Sequence, residues 1–449
     1  MTSHPILIHP ARPAVIAGAA HKLDVLIRVQ APDEPESEAK PRQPYHLSLV
    51  IDRSGSMSGA PLEEAKRCAA HVFDRLAPTD VASLVVFDDR VNLLCPATLV
   101  GDRRHLHQTL DRVTAGGSTN LHGGWKAGFA SLPPDAENAS IARVILLSDG
   151  NANVGETTDV DEIAALCAEA ASKGVSTSTY GLGRNFNEDL MVAMARQSGG
   201  NHYYGDTAAD LMEPFAAEFD LISNLFARNL RLSLAAPAGV KIRLLNDYRI
   251  EQRGDFPTIH LPDLAYGAEA WALVQLELPA EIAADNVNGL LQAAATGLSP
   301  SNEPVAFADA KLSLPAMAAN AWAALVEDPL VVSRRSEIEA ADFITRARKL
   351  AERGNWEAIG LMMEEARERF AGNPWVLQVL EGLVELAQSM DRMRFRKEAL
   401  YSSSRMNRRL SAKDEMLSMS SDREAPSFLK RKSRQGKADP QPGEGGDKA

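Results

Sequence analysis

The sequence predicts an α/β protein. A doubly wound, mostly parallel sheet is inserted in or flanked by a β-sandwich, followed by a small helical domain and a disordered tail. Three observations predict it. Over residues 45–225, near-continuous apolar runs alternate with helical periods, the rhythm of a parallel sheet covered on both faces. Alternating, half-buried runs stand on either side of that stretch, at 22–29 before it and at 228–234 and part of 271–278 after it. Over residues 336–410 apolar side chains return at threes and fours, and from about Ser411 this period dissolves into Ser, Lys, Gly and Pro.

Composition narrows the function. The 449 residues are enough for several domains and a sizeable core, and 45% apolar with 24% charged residues is ordinary for a soluble chain. A net charge of −12 argues against a nucleic-acid partner for the chain as a whole. Cys68, Cys95 and Cys167 are odd in number, far apart and set in apolar segments, so buried free thiols in a reducing compartment are expected. The first residues, MTSHPILIHPARPAV, lack a basic segment leading into an apolar core, and no window approaches a membrane span. The expected setting is cytoplasmic, with no membrane partner.

The elements follow in order. Residues 5–8 and 22–29 read as strands, and the Pro- and charge-rich 31–44 as an exposed connection. These first 43 residues are assigned to the sandwich, and 44–225 to the α/β unit. A strand, His46 to Asp52, leads into the loop Asp52-Arg53-Ser54-Gly55-Ser56. Pro61 near a helix start with Glu63 and Glu64 behind it opens a helix that runs to about Leu76. A second strand over 81–87 ends in Asp88-Asp89, with 91–97 as a hairpin partner, and 103–113 is a short helix. The Gly-rich 115–120 opens a helix over 121–132. A third strand, Ala142–Ser148, ends in Asp149-Gly150. Helices over 161–172, 187–197 and 208–225 alternate with strands at Val175–Leu182 and about 202–204. The pattern then reverts to β over 226–315. The helical domain spans 325–411, and Gly354-Asn355 and Gly372-Asn373-Pro374 break it into about three helices, with its methionines as core fillers. In the tail, 412–449, Phe428 and Leu429 stand beside Lys430-Arg431-Lys432 as a candidate docking peptide.

Three loops therefore fall on the carboxyl edge of one parallel sheet, where open α/β sheets bind ligands. They carry Asp52, Ser54 and Ser56; Gly117, Ser118, Thr119 and Asn120; and Ser148, Asp149 and Gly150. Hydroxyls and carboxylates are hard oxygen donors, which suit Mg²⁺ better than Zn²⁺. In sequence, DRSGS followed by GSTN and LLSDG resembles the von Willebrand factor type A domain and its metal-ion-dependent adhesion site, over residues 45–225. The resemblance implies a Rossmann-like fold in a non-enzymatic protein of the bacterial cytoplasmic type. It implies Mg²⁺, with Mn²⁺ as an alternative, ligated by Ser54, Ser56 and Thr119, with Asp52 and Asp149 acting mainly through water. It further implies a protein partner whose Asp or Glu completes the coordination. The β elements on both flanks extend a looser resemblance to the heavy-chain family of inter-alpha-trypsin inhibitors.

Two other readings compete with this one: a metal-dependent phosphate-ester hydrolase, and a scaffold whose metal only stabilises the fold. Met57 stands where a G-x-S-x-G nucleophile needs Ser, and Ser54 where an Asp-x-Asp phosphatase needs its second acid. His122 is read as a packing residue, His105 and His107 as solvent-exposed, and Asp88 and Asp89 as caps of the following turn.

Overall fold

The computed structural model describes residues 4–33, 44–132, 141–149, 151–182, 187–205, 208–253, 256–282, 287–408 and 411–412. The chain begins with strands β1 (Ile6–Pro10), β2 (Val15–Ile16) and β3 (His21–Gln30). The α/β unit then runs β4 (His46–Asp52), α1 (Ala60–Arg75), β5 (Val81–Phe87), β6 (Val91–Leu99), α2 (Arg104–Asp111), α3 (Leu121–Ser131), β7 (Ala142–Ser148), α4 (Val160–Ser172), β8 (Val175–Leu182), α5 (Glu188–Ser198), β9 (His202–Gly205) and α6 (Ala208–Ser223). Its six strands lie in the order β6-β5-β4-β7-β8-β9, parallel except for β6, which pairs antiparallel with β5.

Alternation along each strand builds two cores. Leu47, Leu49 and Ile51 of β4 pack with Leu62, Val72 and Phe73 of α1 on one face. Val50, Val144 and Leu146 pack with Trp125, Ile163 and Met194 of the helices on the other. Successive strand residues point to opposite faces, so burial of both faces requires a continuous apolar run. Cys68, Cys95 and Cys167 are buried and free.

The remaining strands are β10 (Leu225–Ala235), β11 (Lys241–Leu244), β12 (Ile250–Arg253), β13 (Phe256–His260), β14 (Leu264–Ala265), β15 (Ala268–Leu278), β16 (Val287–Leu298), β17 (Pro304–Ala306), β18 (Ala310–Leu314) and β19 (Ala316–Met317). One sheet runs β1-β3-β15-β11 and a second runs β12-β13-β10-β16-β17. The long antiparallel register from His21↔Leu278 to Gln30↔Glu269 joins segments that flank the entire α/β unit. The α/β unit is thus inserted between strands of one sandwich. Leu23, Val25, Ile27, Leu232, Trp271 and Leu290 belong to its shared core.

After the short α7 (Ala319–Ala323), helices α8 (Pro329–Glu352), α9 (Trp356–Arg369), α10 (Pro374–Gln388) and α11 (Arg392–Arg408) form the helical domain, and β20 (Ser411–Ala412) returns to pair with β15. The expected three helices from 336 are four from Pro329. The additional break is at Met390, whose φ of 52° reverses the chain in the left-handed region without a glycine to announce it. Met363 and Met406 are core residues, whereas Met390 is exposed. The domain leans on the α/β unit: Arg348 of α8 pairs with Asp189 of α5 at 2.8 Å, and the Tyr204 hydroxyl of β9 donates to Glu398 of α11. The expected tail and its Phe428-to-Lys432 peptide, most of the 31–44 connection, and Gly150 lie outside the described residues. Among the described residues no helix is long and apolar enough to cross a membrane.

Candidate functional site

Strand β4 delivers Asp52 to the carboxyl edge of the sheet with 0% of its surface exposed. Its Oδ1 accepts the Ser54 amide at 2.9 Å, closing the turn that leaves the strand. Its Oδ2 accepts the Ser148 hydroxyl at 2.5 Å, from the end of neighbouring β7. Both carboxylate oxygens are therefore engaged. The Ser54 and Ser56 hydroxyls lie 3.1 Å apart, on a single helical turn pinned to the core by buried Met57.

A second loop is bound to the first through its backbone. The Gly55 amide donates to the Gly117 carbonyl at 2.7 Å, and the Gly116 amide to the Arg53 carbonyl at 2.7 Å. Thr119, buried, gives its amide to the Asn153 side chain at 2.8 Å, and Asn120 caps α3 by accepting the Gly123 amide at 2.9 Å. The approach is too close for side chains. A Cβ on Gly116 would stand 1.7 Å from an Asp88 carboxylate oxygen, and one on Gly117 2.2 Å from an Asp89 oxygen. The third loop carries Asp149, 7% exposed, whose carbonyl accepts the Asn187 amide that begins α5.

The structure thus joins Asp52, Ser54 and Ser56 by direct contacts, brings the Asp149 charge to bear on Asp52, and ties the Thr119 loop to Gly55. Burial pushes the Asp52 carboxyl up to about 6, against the hydrogen bonds from Ser148 and Ser54, and the Asp149 charge pushes the same way. Arg53, in the same loop, is turned to Asp88 at 2.8 Å instead. Two buried carboxylates share one corner with three hydroxyl side chains, and Asp52 meets only hydroxyls and an amide.

A hard divalent cation fits this donor set. Adjacent oxygens on an octahedral Mg²⁺ with ligands at about 2.0–2.1 Å lie about 3 Å apart, which matches the 3.1 Å between the Ser54 and Ser56 hydroxyls. Among the described residues no three His, Cys, Asp or Glu side chains gather into a softer cage.

Sequence reasoning quoted Ser148 but gave it no role; its hydroxyl fixes Asp52, a contact made across 96 positions of chain. It also missed Asn153, which holds Thr119, and the Arg53–Asp88 pair. Asp88 does cap its turn, accepting the Arg90 amide at 2.7 Å, while Asp89 is exposed. His122 is buried on α3; His105 is exposed, whereas half-buried His107 contacts Asp74 at 3.0 Å.

Comparison with known proteins agrees with this architecture. Residues 46–217 match the von Willebrand factor type A domain. An uncharacterized Synechocystis protein, sll0103, is 27% identical over 261 residues, covering 56% of this chain and 61% of that one. Human inter-alpha-trypsin inhibitor heavy chain H3 is 28% identical over 185 residues, covering 38% of this chain and 20% of that one. The chain thus spans less than two thirds of the length of these curated relatives. Among solved structures, a von Willebrand factor type A protein from Catenulispora acidiphila superposes with a TM-score of 0.67 at 13% identity, covering 86% of this chain and 90% of the other. The ArnB paralog VWA2 from Sulfolobus acidocaldarius does so with 0.61 at 18% identity, covering 91% and 98%. At such identities these two likenesses concern the fold.

Proposed function

On the premise that residues 46–217 form a von Willebrand factor type A domain, we propose that the chain is a non-enzymatic, Mg²⁺-dependent protein-binding module. Asp52, Ser54, Ser56, Thr119 and Asp149 form its metal site. The observation that carries the reading is the pair of buried carboxylates, Asp52 and Asp149, set among hydroxyls with a positive charge wanting. When bound, Mg²⁺ supplies that charge and an open coordination position for an anionic oxygen. Ser54, Ser56 and Thr119 contribute neutral oxygens, which leaves the site receptive to a carboxylate from outside. The partner therefore presents an Asp or Glu.

Asp52 serves as a positioning group. One oxygen accepts the Ser54 amide and the other the Ser148 hydroxyl, which fixes the orientation of the carboxylate on the loop. The surroundings suit a docking rim: Gly55, Ser56, Gly116, Gly117 and Ser118 are exposed. The proposal extends to a cytoplasmic setting, supported by the three buried free thiols.

Affinity capture with and without EDTA tests the reading. Partners held by the wild type in Mg²⁺ are expected to be lost in EDTA and from Asp52→Ala and Thr119→Ala. Recovery of the same partners from both variants and in EDTA overturns it.

A further inference from the structure

At the amino-terminal edge of the α/β sheet, opposite the candidate metal site, the three parts of the chain line a partly open cavity of about 80 Å³. Four arginines line it: Arg196 from the end of α5, Arg228 from β10, Arg249 from the segment before β12, and Arg408 from the end of α11. His260 of β13 joins them, and Asp263 is the one carboxylate in the lining.

The local acids leave this positive charge incompletely matched. Asp263 is engaged by Arg143 at 3.2 Å. Glu251, behind the lining, serves both Arg249 and His260 at 2.9 Å. Asp247 stands 3.8 Å from Arg408, at the limit of an ion pair. Arg228 spends its hydrogen bonds on neutral oxygens, the Gly174 carbonyl and the Asn302 side chain, and its buried Nε has no partner among the described residues. The Nε of Arg408, the atom that faces Asp247, is likewise buried and makes no hydrogen bond among the described residues. Arg196 makes no side-chain hydrogen bond or ion pair among the described residues. Burial lowers the pKa of Arg228 and of Arg408, and the charge of Arg196 adds to the effect on Arg408. Four guanidinium groups gathered around a small cavity, one of them, Arg196, without a bond of its own, form a receptor for an oxyanion, which accepts several charge-assisted bonds at once.

We propose that this cavity binds a small tetrahedral oxyanion of the size and charge of inorganic phosphate, gripped by Arg196 and Arg228 with Arg249 and Arg408 supplying further charge. Space for roughly half a dozen waters accommodates one such ion. Because the four arginines come from the α/β unit, the sandwich and the helical domain, the anion joins all three. It acts as a rivet between parts that sequence places far apart.

Calorimetric titration of the full chain with inorganic phosphate, at ionic strength held constant with chloride, tests the proposal. The expected result is saturable one-site binding that is the same with Mg²⁺ and with EDTA. Arg196→Gln and Arg228→Met are each expected to weaken it at least about tenfold, the scale of one lost charge-assisted contact. Arg196→Gln is the decisive variant, since the side chain it removes makes no bond in the folded protein and the fold should survive, checked by circular dichroism. Absence of saturable binding to the wild type overturns the proposal, as does unchanged affinity in a folded Arg196→Gln.

Discussion

At one end of β7, Arg143 is 1% exposed and donates to Glu218, with Asp263 at 3.2 Å and the Ser176 hydroxyl at 2.8 Å. At the other end, Asp149 is 7% exposed beside Asp52 at 0%, and the arginine of that loop faces Asp88. The first end meets its buried charge from within. Glu218 also accepts from Ser178, Asn201 and Tyr203, so its oxygens are saturated as a buried carboxylate requires. The second end collects negative charge and supplies only hydroxyls and amides. The difference separates a charge that serves the fold from a charge that awaits a ligand. β7 carries Arg143 near its start and leads directly into Asp149, 6 residues on, so the two lie on opposite edges of the sheet.

The strongest way to break this comparison is Glu218→Ala. It leaves Arg143 buried with only partial compensation from Asp263, and should destabilise the α/β unit by about 3 kcal/mol, read by chemical denaturation. A loss no greater than that of an exposed ion pair would put the two ends of β7 on equal terms. Next comes Asp52→Asn, which keeps the turn and removes the buried charge. Its melting temperature without metal should equal or exceed the wild type's. The stabilisation that saturating Mg²⁺ gives the wild type, about 2.7 kcal/mol at a hundred times Kd, should vanish. An Mg²⁺-dependent shift that survives in Asp52→Asn would move the cation elsewhere.

A third test, confined to acid pH, concerns His202, at the amino end of β9. Burial, with the charge of Lys397 adding to it, lowers its pKa to about 3, while the Thr179 hydroxyl lies 2.9 Å away. The folded-state value is below the ordinary 6.5, so the unfolded chain takes up the proton first. The stability associated with the neutral ring is complete above pH 6.5 and drains as pH falls toward 3, by at most about 1.4 kcal/mol per unit. His202→Gln should flatten this part of the acid limb, measured by denaturation midpoints at successive pH values. An unchanged acid slope would remove His202 from the set of charges that the amino edge manages internally.

The candidate site was legible to different depths. Asp52, Ser54 and Ser56 lie within five consecutive positions at the end of a recognisable apolar strand, so their convergence follows from local geometry alone. Thr119 and Asp149 were legible because each lies at the carboxyl edge of the same predicted sheet. Ser148 was not assigned a role, since its partner Asp52 lies on another strand and nothing in the local period distinguishes a hydroxyl that faces a carboxylate from one that does not. The arginine cavity was wholly illegible. Arg196, Arg228, Arg249 and Arg408 sit in four unrelated segments, each of which reads by itself as an ordinary solvated cation.

By itself the sequence determined the alternation of strand and helix from 45 to 225, the hydroxyl-and-carboxylate loops at its strand ends, and the β character of both flanks. Those are short-range properties, set by side-chain period and turn chemistry. Tertiary structure alone decided that β3 pairs with β15 across the inserted unit, that Met390 turns the chain without a glycine, and that Arg53 answers Asp88 and leaves the Asp52 corner negative. Each depends on which distant segments meet. Where charge is buried, the partner supplied by folding determines whether a carboxylate is satisfied or still lacks a cation.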